Sequence, residues 1–141
     1  MLKIQNGIVI DHITPGKGIK IYEKLKLDSL NHPIILMRNI PSDKHNLKDV
    51  IKIENIFDIS VEFLGLLDSN ITINYIKEQQ VIKKVKAFLP LKVKGIIKCK
   101  NPRCISFKDE FILPEFTLND AKNGYHCNYC EETTYLKQIE L

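Results

Sequence analysis

The first 98 residues of this 141-residue chain contain no cysteine, so neither a disulfide framework nor a thiolate metal site can be built there. No apolar run approaches the ~20 residues of a membrane span. No Ser–His–Asp set, glycine-rich phosphate loop, HExxH string or pair of inward carboxylates stands out, and nothing demands an enzyme. Internal repeats and low-complexity tracts are missing as well. Nothing at the N-terminus reads as a secretory signal, so a reducing, cytoplasmic compartment is expected. The remaining composition, 44% hydrophobic and 27% charged, is that of a globular protein. Its length suits one ordinary domain, or one domain plus a small metal-stapled one.

All four cysteines fall near the C-terminus, in two short knuckles. Cys99 and Cys104 frame a C-x4-C, and Cys127 and Cys130 frame a C-x2-C. Each knuckle presents two sulfurs to one ion from a single tight turn. Zn²⁺ takes four thiolates at tetrahedral corners, so the pattern reads as one closed structural Zn(Cys)4 site, one ion per chain. Two disulfides are the plainer rival, and a reducing compartment argues against them. A redox role for Cys127 and Cys130 would leave the first pair unexplained.

The formal charge of +4 hides an asymmetry. Residues 99–141 carry five Lys or Arg against seven Asp or Glu, whereas residues 1–98 carry sixteen against ten. A zinc ribbon that binds nucleic acid should show the reverse, because phosphate neutralisation supplies most of its affinity. An anionic ligand of the N-terminal part is the better inference.

Strand and helix signals alternate through that part. Ile8 to Ile13 reads as a β-branched strand, broken by Thr14-Pro15-Gly16. Between Lys17 and Leu27, Ile21, Tyr22 and Leu25 recur at helical spacing. Ile34 to Ile40 is a second strand, closed by Pro41-Ser42-Asp43. Asp49 to Asn55 alternates as a half-buried strand. Ser60 can cap a short helix carrying Phe63, Leu64 and Leu67. Ile71 to Ile76 and Val81 to Val85 are two further β-rich runs. The order β-α-β-β-α-β plus one strand predicts an α+β, ferredoxin-like sandwich, with both helices on one face of an antiparallel sheet. The other face is left for a ligand or a second subunit. Leu89-Pro90 marks the expected boundary between residues 1–90 and a small antiparallel zinc-ribbon-like domain, 91–141.

Lys48 and Lys52 share a face if the chain there is extended, and Lys83 and Lys84 follow on the last strand of the sandwich. Grouped ammonium groups suit a polyphosphate, though a lysine run is more often a solvated face. Asp11 and His12 end a strand. Taken singly, they read first as a turn-capping Asp and a His satisfied by backbone.

Together these segments resemble the regulatory chain of aspartate carbamoyltransferase almost end to end. The carrying strings are Gly7-Ile8-Val9-Ile10-Asp11-His12-Ile13, Asn39-Ile40-Pro41-Ser42 and Lys48-Asp49-Val50-Ile51-Lys52-Ile53-Glu54-Asn55. They continue with Thr72-Ile73-Asn74-Tyr75-Ile76, Cys99-Lys100-Asn101-Pro102-Arg103-Cys104-Ile105-Ser106 and Cys127-Asn128-Tyr129-Cys130-Glu131. The resemblance implies a non-catalytic subunit of de novo pyrimidine biosynthesis. Its N-terminal domain would bind nucleotide effectors, and its zinc domain would dock onto catalytic trimers. Regulatory homodimers would join two trimers into a dodecamer of six catalytic and six regulatory chains. In such enzymes CTP typically inhibits, ATP typically activates, and UTP can reinforce CTP.

Carried over by motif position, Asp11 and His12 should contact the ribose and phosphate region. Lys48, Lys52 and Lys84 should be the cationic contacts, with Lys52 foremost. Val9, Asn74, Ile76 and Val81 should line the ribose and base pocket. The constellation as a whole reverses the plainer reading of Asp11 and His12. Three departures from the resemblance bear on preference and docking rather than on zinc. The segment before Ile4 is short, Gln79 stands where an aromatic can occur, and Arg103 replaces a small polar residue. The rival function is a zinc-ribbon nucleic-acid-binding factor, whose six candidate stacking aromatics (Phe107, Phe111, Phe116, Tyr125, Tyr129, Tyr135) core packing explains equally well.

Overall fold

The computed structural model describes residues 3–43 and 46–139. The chain divides into two compact units, one up to Phe88 and one from Leu89 onward. Among the described residues no helix is long and apolar enough to cross a membrane.

The first unit comprises β1 (Gly7–Ile13), α1 (Gly18–Lys24), β2 (Ile34–Ser42), β3 (Asn46–Glu54), α2 (Val61–Leu67), β4 (Thr72–Lys77) and β5 (Gln80–Lys86). Its strands form one sheet in the order β2-β3-β1-β4-β5, with every neighbouring pair antiparallel. This is the ferredoxin-like order extended by one edge strand. Directly opposed residues of antiparallel strands share a face, so the register assigns the two sides. Leu36, Ile51, Ile10, Ile73 and Val85 form one row. Ile35, Lys52, Val9, Asn74 and Lys84 form a neighbouring row on the opposite side.

Both helices cover the first of these faces. Ile8, Ile10, Ile51, Ile53 and Ile73 pack there with Ile21 of α1, Leu64 of α2, Leu27, Ile71 and Ala87. Burying an aliphatic side chain of this size contributes about 1.5–3 kcal/mol, so this layer holds the sandwich together. Among the described residues, the opposite face carries a small apolar cluster, Ile4, Val9 and Val50, flanked by Met37 and Ile76.

Element ends depart from the sequence expectation for local reasons. The helix expected over Lys17–Leu27 stops at Lys24, because Lys26 adopts a left-handed φ of 55° and a 3-10 turn at Leu27–Ser29 follows. The second strand runs on through Pro41 to Ser42. Proline is tolerated there because β2 is an edge strand and pairs only with β3. Ser60 caps α2 as expected, its hydroxyl accepting the Phe63 N–H at 3.1 Å.

The second unit is a sheet of four short antiparallel strands, β6 (Lys92–Lys94), β7 (Glu115–Leu118), β8 (Gly124–Cys127) and β9 (Thr133–Tyr135), in sequential order. One four-residue helix, α3 (Ile105–Lys108), precedes β7. Val93, Ile97, Phe116, Leu118 and Tyr125 are buried, and the Tyr125 hydroxyl donates to the Pro90 carbonyl at 2.7 Å.

Helix α2 crosses close to the end of the first unit. A Cβ at Gly65 would overlap the Phe88 carbonyl group, a backbone obstacle that no rotamer change relieves. Gly65→Ala should therefore lower the thermal midpoint through about 1–3 kcal/mol of overpacking, read by circular dichroism; an unchanged midpoint would contradict this packing.

Candidate functional sites: a metal centre and an open-face cavity

The two knuckles bring Cys99, Cys104, Cys127 and Cys130 together, with all four sulfur atoms within 4.8 Å of one another. None is in a disulfide. The Cys99–Cys130 and Cys104–Cys127 Sγ separations are 3.6 and 3.8 Å. A tetrahedron with Zn–S near ~2.3 Å has edges of about 3.8 Å, so the donor set fits zinc.

Burial pushes the Cys99 thiol up to about 12 and raises Cys127 as well. Burial acts on Cys104 in the same direction, but hydrogen bonds from the Ser106 side chain and backbone hold it at about 6; its Sγ lies 3.1 Å from the Ser106 hydroxyl. Zinc binding must displace protons from this set, so affinity falls as pH falls.

The second site lies on the face of the sandwich that the helices leave open. A cavity of about 320 Å³ is lined by Val9, Asp11, Met37, Ile40, Lys48, Val50, Lys52 and Asn74, which is within the size range of small-ligand sites. Its lining combines apolar side chains with the charged groups of Asp11, Lys48 and Lys52. Lys48 forms an ion pair with Asp11 at 3.0 Å, both largely buried. Lys52 is half-buried and has no ion-pair partner among the described residues. An ammonium group in that position gains by meeting an anion.

Five of the nine effector residues expected from the sequence line this cavity: Val9, Asp11, Lys48, Lys52 and Asn74. Ile76 borders it through the apolar cluster with Val9 and Val50. His12 follows Asp11 in a β-bulge with a φ of 56°, its N–H donating to Asp11 Oδ1 at 2.7 Å. Val81 and Lys84 lie on edge strand β5, opposite Ile76 and Asn74 in register, and are not among the wall residues. Lys83 points the other way, its ammonium 5.6 Å from the Tyr75 ring centroid.

Sequence reasoning passed over Met37, Ile40 and Val50. Val50 was findable, since it sits between Lys48 and Lys52 at the period-two spacing of one face. Met37 becomes visible only through its pairing with Val50 across β2 and β3. Near the cavity, Gln5 and Asn6 donate backbone N–H groups to the Glu54 carboxylate at 3.2 Å, and the Gln79 N–H reaches the Gln5 carbonyl at 2.9 Å.

These features define a class: an open-faced ferredoxin-like sandwich joined to a zinc-stapled β unit. Residues 1–87 match the family described as aspartate carbamoyltransferase regulatory chain, allosteric domain. Residues 91–140 match the metal binding domain of the same regulatory chain. Proteins named aspartate carbamoyltransferase regulatory chain from Clostridium acetobutylicum and Clostridium botulinum are 48% and 47% identical to it over 130 residues, covering 92% of this chain and 89% of theirs. One from Methanococcus vannielii is 41% identical over 132 residues, covering 92% of this chain and 88% of its own. The chain belongs to the aspartate carbamoyltransferase regulatory-chain family. It is a regulatory, non-catalytic chain with a structural zinc site.

Zinc substitutes for the core that so short a unit cannot build, at roughly 10–16 kcal/mol of apparent binding energy in small zinc peptides. Cys127→Ser should abolish stoichiometric zinc by atomic absorption and expose the backbone amides from Leu89 onward to hydrogen exchange, leaving the sandwich protected. Full zinc retention by that variant would contradict the site.

Proposed function

We propose that the sandwich, residues 1–90, is an allosteric nucleotide-effector domain and that residues 91–141 dock onto the catalytic chain of aspartate carbamoyltransferase in pyrimidine biosynthesis. The observation that carries the first half is half-buried Lys52 at a cavity otherwise lined largely by apolar side chains. A nucleoside triphosphate offers groups that such a site can hold: negative charge for Lys52, Lys48 and Lys84, hydroxyls for Asp11 and His12, and a flat base for Val9, Asn74, Ile76 and Val81. Lys48 reaches phosphate by exchanging its Asp11 partner, which then accepts from ribose.

CTP and ATP, and UTP with them, would use this one site and compete. Their triphosphates are alike, so opposite effects must arise from base size and amino-group position. A nucleotide moves the catalytic equilibrium only by binding the low- and high-activity assemblies with different affinity. Coupling of this kind is usually worth ~1–3 kcal/mol, and substrate occupancy alters nucleotide affinity reciprocally.

For the docking half, support comes from the second unit's surface. Ile105, Phe107, Phe111 and Leu113 are exposed, Phe111 by 88%, in the segment that starts at zinc ligand Cys104. Four of the aromatics considered for base stacking, Phe107, Phe111, Tyr129 and Tyr135, are exposed, while Phe116 and Tyr125 are core. Exposed apolar groups on a nearly neutral unit, with eight Lys or Arg against seven Asp or Glu over residues 89–141, suit a protein partner better than phosphates. The assembly expected is a cytoplasmic dodecamer of six catalytic and six regulatory chains, the latter paired as homodimers.

Lys52→Ala should weaken CTP and ATP alike, by about tenfold or more for the loss of a partly buried charge-assisted contact, measured by calorimetric titration of the zinc-loaded chain. Weakening of one nucleotide alone would contradict a shared phosphate site.

A further inference from the structure

Asp49 is fully buried and belongs to neither the cavity wall nor the effector set carried over from the family. Strand alternation turns its side chain toward the helices, away from Lys48 and Val50. Its Oδ1 accepts the Asn39 N–H at 3.0 Å, and its Oδ2 accepts the N–H groups of Gly16 and Gly18, each at 3.0 Å. Both strands flanking Asp49 are irregular beside it. β1 slips register between Ile10 and Ile13, where Asp11 and His12 lie. β2 slips between Met37 and Ile40, with Asn39 at a φ of 57°. The residues displaced by these bulges, or bordering them, include Asp11, Met37 and Ile40 of the cavity wall.

We infer that Asp49 is a positioning residue for the effector site. From the helix side of the sheet its carboxylate pins the β2 bulge and the turn that starts α1. This fixes where Asp11 and Lys48 meet on the open side. The inference rests on the nucleotide reading above and deepens it, since it names a residue that touches no ligand yet sets ligand affinity.

Asp49→Asn keeps the size but replaces one acceptor oxygen with an NH2 group, which must then face either the Asn39 N–H or the Gly16 and Gly18 pair. The experiment is a double-mutant cycle on CTP affinity, with Asp49→Asn, Lys48→Ala and the double variant as zinc-loaded full chains. It is run at a temperature where circular dichroism shows all of them folded. Asp49→Asn should weaken CTP about tenfold, and Lys48→Ala should then cost much less than it does alone, because residues acting through one network are non-additive. A merely structural Asp49 would shift the melting point and leave the affinity of the folded chain intact. Wild-type affinity in Asp49→Asn, or two effects that simply multiply, would overturn the inference.

If Asp49→Asn does not fold, Gly18→Ala decides. Its new Cβ would lie 2.8 Å from Asp49 Oδ2 and would displace the carboxylate from outside the cavity. Weakened CTP binding by Gly18→Ala supports the inference, and unchanged binding overturns it. A wild-type chain that takes up no CTP would instead overturn the nucleotide reading, and this inference with it.

Discussion

A carboxylate buried without partners costs several kcal/mol in lost hydration. Asp49 sits at zero exposure, and three backbone N–H groups offset that cost. Hydrogen bonds to a charged acceptor contribute more than neutral ones, roughly 1.5–3 kcal/mol each, but only if the donors converge. Convergence requires the bulge at Asn39 and the tight turn at Gly16–Gly18. The sheet is irregular on both sides of Asp49, at Ile10–Ile13 and at Met37–Ile40, beside the Lys48–Asp11 ion pair. The cavity on the open face follows from how the helix face satisfies one charge.

The second unit solves a different problem by different means. Its core amounts to a handful of side chains, with Phe116 and Tyr125 the largest fully buried ones. The four cysteines bring their sulfurs to the spacing a tetrahedral ion needs. Cys104 also occupies the position just before the short helix α3, whose Ile105 and Phe107 are exposed. Metal binding and the shape of that apolar surface are therefore one property. Losing zinc would not merely destabilise the unit but would release the segment that carries the surface.

Much of this was legible in the sequence, and the reasons differ by element. The zinc ligands were readable because knuckle geometry is local: two cysteines separated by two or four intervening residues can meet one ion whatever surrounds them. The strand order was readable because β-branched runs alternate with short amphipathic ones. Lys48 and Lys52 were placed on one face by period-two arithmetic, and their common cavity agrees with it. The bulges were not readable, because the left-handed φ values of His12 and Asn39 go with side-chain acceptors, Asp11 for the His12 N–H and Asp49 of the neighbouring strand for the Asn39 N–H, that apolar spacing does not reveal. Met37 and Ile40 were missed for the same reason, since their place depends on a register slip in β2. Where helix α1 ends was likewise set by the backbone of Lys26 rather than by the apolar spacing before it.

The central claim is that a nucleotide sits on the open face of the sheet, over the irregularity that Asp49 creates. Amide chemical-shift mapping of the zinc-loaded chain on addition of CTP tests it most directly. The account predicts that the largest shifts fall at residues 9–12, 37–40, 48–52 and 74–76, with ATP moving the same set. Shifts concentrated on the helix face, or in the zinc unit around Cys99–Cys130, would contradict it.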